Sequence, residues 1–130
     1  PERGTGRVFN PAVSVREAPS EHEVLTALRL AETGTNVLFR IDSRDTSAKN
    51  PDAEMNQQVW EFKAPKGQGK NTIDSQMKRA GKQAERLVLD LRRSKLDDEE
   101  SILYIRRSMQ GRHLTQVIVI DHAGNIVRIP

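Results

Sequence analysis

The sequence has no cysteine, few aromatic residues and no long apolar run, and each shortage excludes a class of structure. Without cysteine, neither a disulfide framework nor a thiolate zinc site can form, so any bound metal must rest on oxygen or imidazole ligands. One Trp, one Tyr and three Phe leave few rings on which bases could stack once the core is filled. No apolar stretch approaches the roughly 18 residues of a membrane span, so no such span is expected.

The length and composition are those of one globular domain. The chain has 130 residues, of which 35% are hydrophobic and 30% charged. Residues 1–18 combine Gly, Pro, Arg and Ser without periodicity and are expected to form a flexible arm or linker, so the folded domain is predicted at 19–130. The chain begins at Pro1 with neither an initiator methionine nor a signal-peptide pattern, which indicates a module cut from a longer protein.

Basic residues are concentrated in the middle of the chain. The formal net charge is +3, yet residues 63–95 contain ten basic residues and three acidic ones, so the remainder of the chain is net acidic. A concentrated basic segment is what binding to the phosphate backbone of nucleic acid requires. A solvated helix face would give the same count, so the segment favours a nucleic-acid partner without deciding the matter.

Capping signals and periodicity predict the order of helices and strands. Ser20 and Glu23 fit a capping box that opens a helix over 21–33, which Gly34 closes. A second helix begins at Asn71 or Thr72, with its core face predicted from the spacing of Ile73, Met77, Ala80 and Ala84. A third begins at the acidic run 97–100 and continues to about residue 109. Strands are predicted at 36–41, from 52, at 59–64, 86–91 and 114–120, and in a last strand ending at 129.

These elements follow one another as α-β-β-β-α-β and then α-β-β. A turn at 56–58 joins the second and third strands, and residues 42–50 and 65–70 are expected to be loops. This order predicts an α/β (α+β) fold with a mixed central sheet flanked by helices.

The strand 59–64 carries the residues that point to chemistry. Its side chains alternate between a core face with Trp60 and Phe62 and an opposite face with Glu61 and Lys63. Hydrolysis of a phosphodiester requires charge stabilisation on the phosphate and an activated water, which hard cations held by carboxylates supply. Asp52, on the neighbouring strand, and Glu61 can converge on one cation. The alternative is an exposed strand with an ordinary charge pair, because Glu-x-Lys is common by chance at this charge content.

Pro51-Asp52 and Glu61-Phe62-Lys63, within this order of elements, resemble the PD-(D/E)xK nucleases. More specifically, the chain from about residue 20 to 130 resembles the C-terminal nuclease domain of CdiA-type contact-dependent inhibition and related polymorphic toxins. The stretches that carry this resemblance are Asn50-Pro51-Asp52, Val59-Trp60-Glu61-Phe62-Lys63-Ala64-Pro65, Asn71-Thr72-Ile73, Lys82-Gln83-Ala84 and Val88-Leu89-Asp90-Leu91-Arg92. The resemblance implies a PD-(D/E)xK-like fold and a secreted or cell-surface-delivered toxin that acts in the cytoplasm of the target cell and is neutralised by a cognate immunity protein.

The resemblance also implies roles for individual residues. Asp52 and Glu61 would bind a divalent metal, Mg²⁺ or Mn²⁺ with Zn²⁺ as a further option, and Glu23 would be an additional ligand, with Glu21 as its fallback. Lys63 would orient the water or stabilise charge, and Gln83 would support the site. The residues expected to meet nucleic acid are Lys66, Lys70, Asn71, Thr72, Lys78 and Lys82. For Asn71 and Thr72, at a helix N-terminus, simple capping is an equal alternative to phosphate binding.

The target follows from the resemblance alone. Members of the family differ in substrate, so RNA, and tRNA in particular, is favoured while DNA remains open. With so few aromatic residues, recognition is expected through backbone, shape or a helper protein such as a translation factor. Two alternatives to the metal-dependent nuclease remain: a non-catalytic nucleic-acid-binding module, and a metal-free ribonuclease using His22, His113 or His122, whose spacing does not pair them.

Overall fold

The computed structural model describes residues 6–9, 19–40, 53–67, 69, 71–82, 84–109 and 113–129. They contain seven strands and three helices. In chain order these are β1 (Val8–Phe9), α1 (Glu21–Glu32), β2 (Val37–Phe39), β3 (Ala53–Met55), β4 (Gln58–Lys63), α2 (Thr72–Gly81), β5 (Arg86–Asp90), α3 (Asp98–Ser108), β6 (Gln116–Ile120) and β7 (Ile126–Ile129). The predicted fold class, a mixed sheet with flanking helices, is confirmed.

The seven strands form one sheet in which spatial order follows chain order. Strands β2, β3 and β4 form an antiparallel meander, whereas β4, β5 and β6 are parallel. Parallel neighbours need a long crossover, and α2 and α3 supply the two crossovers here. The antiparallel β7 ends the sheet on one side, and β1, parallel to β2, ends it on the other. Strand β4 therefore lies in the middle of the sheet, between its antiparallel and parallel halves.

Each face of the sheet has its own apolar layer. Helix α1 covers one face, with Ala27 and Leu30 packed in a cluster that includes Trp60, Phe62 and Val88. Helices α2 and α3 cover the other face, where the buried residues include Ile73, Met77, Leu87, Leu89 and Ile105. The predicted alternation of β4 is confirmed, because Trp60 and Phe62 are both buried in the α1 layer.

The turn between β3 and β4 sets the register of the meander. Asn56 and Gln57 both have positive φ, at 52° and 66°, as a two-residue type I′ hairpin turn requires. This turn places Met55 opposite Gln58 and Ala53 opposite Trp60. The predicted turn is therefore confirmed, although β4 begins at Gln58, one residue before the predicted start.

The helix boundaries follow local capping chemistry. Helix α1 opens with the predicted capping box, in which the Glu23 carboxylate accepts the backbone N–H of Ser20 at 2.9 Å. Helix α3 opens at Asp97, whose side chain accepts the N–H of Glu100 at 2.9 Å. Helix α2 ends at Gly81, so the prediction that Ala84 continues its core face is wrong. No helix in the described part of the chain is long and apolar enough to cross a membrane.

Strand β1 lies within the segment predicted to be an arm. Its backbone joins the sheet through the N–H of Val37, which donates to the carbonyl of Arg7 at 2.8 Å. Just before it, the N–H of Gly6 donates to the carbonyl of Ala31 at 3.0 Å, and a Cβ at Gly6 would clash with the carbonyl oxygen of Thr35. Glycine is therefore needed where the chain passes this close to the end of α1. The domain boundary at residue 19 remains a prediction.

Candidate active site

Glu61 is a buried carboxylate in the middle of the sheet. It is 4% exposed and its Oε2 lies 3.4 Å from Nζ of Lys63, whereas its Oε1 has no hydrogen-bond partner among the described residues. Its register partner Leu87 belongs to the layer under α2 and α3, so Glu61 points to the face opposite α1. A buried carboxylate with one unsatisfied oxygen is unfavourable unless a cation or a hydrogen-bond donor completes it.

A cavity of about 580 Å³ lies where β4 ends, between the start of α1 and the middle of α2. Its lining includes His22, Glu23, Lys63, Lys66, Gln76 and Arg93. The structure thus brings together three residues predicted from the sequence, Glu23, Lys63 and Lys66. Glu61 does not line this cavity, and it reaches its rim only through the ion pair with Lys63.

The electrostatic environment of the cavity is positive. Neither Lys66 nor Arg93 forms an ion pair with a described residue, and the charge of Lys63 is directed to Glu61. Burial lowers the pKa of His22 below its usual value, and the positive charge of Arg93 and, more weakly, that of Lys66 lower it further, against the opposing influence of Glu23 and Asp90. His22 is therefore mostly in its neutral form at pH 7, and the positive charges of Lys66 and Arg93 favour an anionic ligand.

Asp90, at the end of β5, forms a hydrogen-bond network next to the cavity. Together with His22, Arg92 and Arg93 it lines a smaller neighbouring cavity of about 220 Å³. Its carboxylate accepts Nη2 of Arg92 at 2.8 Å and the hydroxyl of Thr26 at 2.7 Å. Burial alone would raise the pKa of Asp90, but the hydrogen bonds from Arg92 and Thr26 hold it below its usual range. This network fixes the chain directly before Arg93.

The Glu23 carboxylate has a structural role as well as its place in the cavity. Its Oε1 accepts both the backbone N–H of Ser20 at 2.9 Å and the Ser20 hydroxyl at 2.6 Å. Helix α1 covers the face of Trp60, so Glu23 and Glu61 approach the end of β4 from opposite faces of the sheet. Within the described ranges, no three His, Asp or Glu side chains gather closely enough to hold a metal.

Several predicted residues lie outside the described part or away from the cavity. Asp52, Lys70 and Gln83 are outside the described residues. Lys78 and Lys82 are exposed near the end of α2 and line none of these cavities.

The predicted phosphate site at the start of α2 is partly occupied by the protein itself. Asn71 is the N-cap of α2 and lines a separate cavity of about 640 Å³ between the starts of α2 and α3. The N–H of Thr72 donates to the carbonyl of Gly69 at 3.1 Å, so a phosphate could use this amide only by replacing that bond.

Sequence reasoning missed two residues of the cavity. Arg93 appeared only as one charge in a basic segment, and Gln76 had no signal beyond its place on a helix. His22 was a candidate only for the metal-free ribonuclease. Nothing in the local sequence brings the beginning of α1 to the end of β5, because that proximity arises from the packing of α1 across the sheet.

Comparison with known proteins places this architecture in a family. The profile of the contact-dependent growth inhibition CdiA C-terminal domain matches residues 49–126. No curated protein matches the sequence. Among solved structures, a chain of the "CdiA-CT/CdiI toxin and immunity complex from Burkholderia pseudomallei" is similar with a TM-score of 0.70 and 26% identity, over 95% of this chain and 98% of that chain. Since the family match spans more than half of the sequence, the chain belongs to the CdiA C-terminal domain family of contact-dependent growth inhibition.

Proposed function

We propose that this domain is a toxin nuclease that hydrolyses phosphodiester bonds of RNA, with tRNA as the favoured substrate, by means of a bound divalent cation. Membership of the CdiA C-terminal family supports delivery into a target cell by contact-dependent inhibition. The similarity to a chain of a toxin and immunity complex supports a cognate immunity protein as the partner. The proposed site of action is the cytoplasm of the target cell.

The observation that carries the proposal is the unsatisfied Oε1 of Glu61. A carboxylate that is 4% exposed and has one partner at 3.4 Å fits the donor chemistry of a hard cation, which prefers carboxylate oxygens. Asp52 is the proposed second ligand. It directly precedes Ala53, which is paired with Trp60, the neighbour of Glu61. Glu23 remains the proposed additional ligand, and Mg²⁺ or Mn²⁺, with Zn²⁺ as a further option, is the proposed metal.

The remaining residues of the site would bind and orient the substrate. A divalent cation held here would supply positive charge to the phosphate and lower the pKa of a bound water. Lys63, 29% exposed and at the rim of the cavity, can donate from Nζ to a phosphate oxygen or to the attacking water while Glu61 holds it in place. Lys66, which also lines the cavity, would bind the nucleic-acid backbone there.

A metal-free ribonuclease is the second candidate, and the position of His22 favours it. A neutral histidine that lines a cavity with two unpaired cations can accept a proton from a 2′-hydroxyl. His122 is less suited, because its ring nitrogens lie 2.7 Å from an Asp98 carboxylate oxygen and 2.8 Å from the Ser94 carbonyl. The ring nitrogens of His22 lie 3.3 Å and 3.2 Å from the Ser20 hydroxyl, which can donate as well as accept. The two candidates differ in their need for metal and in their products, since attack by the 2′-hydroxyl leaves a cyclic phosphate.

The deciding experiment incubates the purified domain with total tRNA, ribosomal RNA or plasmid DNA, each with Mg²⁺, Mn²⁺, Zn²⁺ or EDTA. We expect tRNA to be cleaved with metal, no cleavage in EDTA, and recovery when metal is restored. If cleavage is undiminished in EDTA and its products carry cyclic-phosphate ends, the metal-dependent proposal fails and the metal-free ribonuclease with His22 takes its place. Cleavage of plasmid alone would make the domain a DNase. If RNA is cut only after a translation factor is added, that factor is the helper.

A further inference from the structure

Two adjacent arginines after β5 make different contacts. Arg92 donates to the Asp90 carboxylate and, through Nη2, to the carbonyl of Leu25 at 3.1 Å. Arg93 donates through Nε to the carbonyl of Ala64 at 2.6 Å, while its terminal nitrogens make no hydrogen bond or ion pair with any described residue. The guanidinium of Arg93 is therefore anchored at Nε, and its terminal N–H groups can donate hydrogen bonds to a ligand.

The anchored guanidinium faces a space of the right size and charge for a nucleotide. Arg93 lines the 580 Å³ cavity together with Lys66, and that volume lies within the roughly 300–1,000 Å³ typical of small-ligand sites. Lys66 also has no ion-pair partner in the described part of the chain. The Glu23 carboxylate on the same cavity accepts the backbone N–H and the hydroxyl of Ser20 at Oε1.

We propose that Arg93 and Lys66 form a clamp that binds one backbone phosphate of the nucleic-acid substrate at this cavity. The inference rests on the proposed nuclease function and adds to it a substrate-binding residue, Arg93. The planar guanidinium matches two phosphate oxygens at once, whereas Lys66 adds a point charge beside it. Because Ala64 holds Nε in place, little side-chain freedom remains to be lost on binding.

Binding of total tRNA, measured in a Glu61→Gln background that prevents cleavage, tests the clamp. Arg93→Gln should weaken the affinity for tRNA about tenfold, the low end of what hydrogen bonds to a charged group contribute. It should also lower by about one the salt slope, which is the slope of log affinity against log salt concentration. Arg93→Lys should restore the slope but only part of the affinity, because it keeps the charge without the fork. Arg106→Gln is the matched control, because Arg106 is exposed on α3 and lines none of the three cavities. This substitution removes one positive charge, as Arg93→Gln does.

A synthetic RNA with one neutral methylphosphonate linkage at a time identifies the phosphate. At one linkage, the unchanged domain should lose about tenfold in affinity, and Arg93→Gln, which keeps only the Lys66 contact to that phosphate, should lose clearly less. Equal losses for both proteins at every linkage, or equal effects of Arg93→Gln and Arg106→Gln, overturn the clamp. If the clamp is found but the domain with Glu61 intact cuts no nucleic acid, the proposed nuclease function fails and the binding site stands. Absence of any RNA binding overturns both.

Discussion

Arg92 binds the Asp90 carboxylate at both of its oxygens, with Nη2 2.8 Å from Oδ2 and Nε 3.0 Å from Oδ1. The backbone N–H of Arg92 donates to the same carboxylate at 3.1 Å, and the hydroxyl of Thr26 on α1 donates to it at 2.7 Å. Asp90 is only 4% exposed, so these donors replace the water that the carboxylate has lost. The pair thus joins α1 to the end of β5, where the candidate active site lies.

The first prediction concerns this pair. Arg92→Gln leaves a buried carboxylate short of a charged partner and should lower the free energy of unfolding by about 3–5 kcal/mol, as measured by denaturant titration. The folded-state pKa of Asp90 is held below its usual value, so its stabilisation is present above about pH 4 and is lost as the pH falls towards the folded pKa. The stability gap between Arg92→Gln and the unchanged domain should therefore narrow in acid. A gap of equal size at all pH values would show that Arg92 acts by packing alone.

The second prediction concerns His122 in the β6–β7 turn. Its Nε2 lies 2.8 Å from the carbonyl oxygen of Ser94, and its Nδ1 lies 2.7 Å from Asp98. The Ser94 carbonyl and then Asp98 raise the pKa of His122, because both accept hydrogen bonds from the protonated ring. The stabilisation is fully present below about pH 6.5 and disappears as the pH rises through the folded-state pKa. His122→Gln should thus destabilise the domain more at about pH 5.5 than at about pH 8.5.

Asp98→Asn is the companion variant for His122. It removes one of the groups that raise the pKa of His122, so the pH dependence of stability should weaken even though His122 is still present. The slopes of unfolding free energy against pH are compared, because Asp98 also lies in the first turn of α3 and affects that helix at every pH. Unchanged slopes in both variants would mean that this contact does not titrate in the folded state.

Local signals in the sequence were enough to predict the helices and strands but not the arrangement of the candidate active site. The capping box at Ser20 predicted α1, and the alternation of β4 predicted that Trp60 and Glu61 lie on opposite faces. Both predictions succeeded because capping and strand pleating depend only on residues close in sequence. Alternation does not say which helix covers which face of the sheet. The sequence therefore gave no indication that Glu23 and Glu61 approach the end of β4 from opposite faces. Strand β1 also had none, because two residues carry no period and pair with β2 through tertiary structure.

The third prediction concerns two lysines at the C-terminal end of α2, Lys78 and the C-cap Lys82, both predicted from the sequence to contact nucleic acid. Lys78 and Lys82 are exposed and lie outside the cavity, so they can act only through contacts with phosphates beyond the cleavage site. Lys78→Ala and Lys82→Ala should each weaken tRNA binding without regard to sequence and reduce the salt slope by about one, measured in the Glu61→Gln background. An unchanged slope in the double variant would show that this end of α2 is only a solvated surface.

The fourth prediction separates the chemistry of β4 from its packing. Glu61→Gln and Lys63→Met roughly preserve volume, so the domain should stay folded while cleavage falls at least about a hundredfold, the scale expected when a positioned catalytic group is lost. Expression in bacteria without the immunity protein should then no longer be toxic. Trp60→Ala, on the opposite face, should instead lower the unfolding free energy by about 3–5 kcal/mol by emptying the core under α1.

Trp60→Phe completes the design of that experiment. The Nε1 of Trp60 is buried and has no hydrogen-bond partner among the described residues, so Phe removes an unsatisfied donor while keeping most of the apolar contact. This variant should therefore lose much less stability than Trp60→Ala and should keep its cleavage activity and toxicity. Wild-type cleavage and toxicity in both Glu61→Gln and Lys63→Met would show that the pair is structural. Cleavage lost together with the fold in these two variants would show the same.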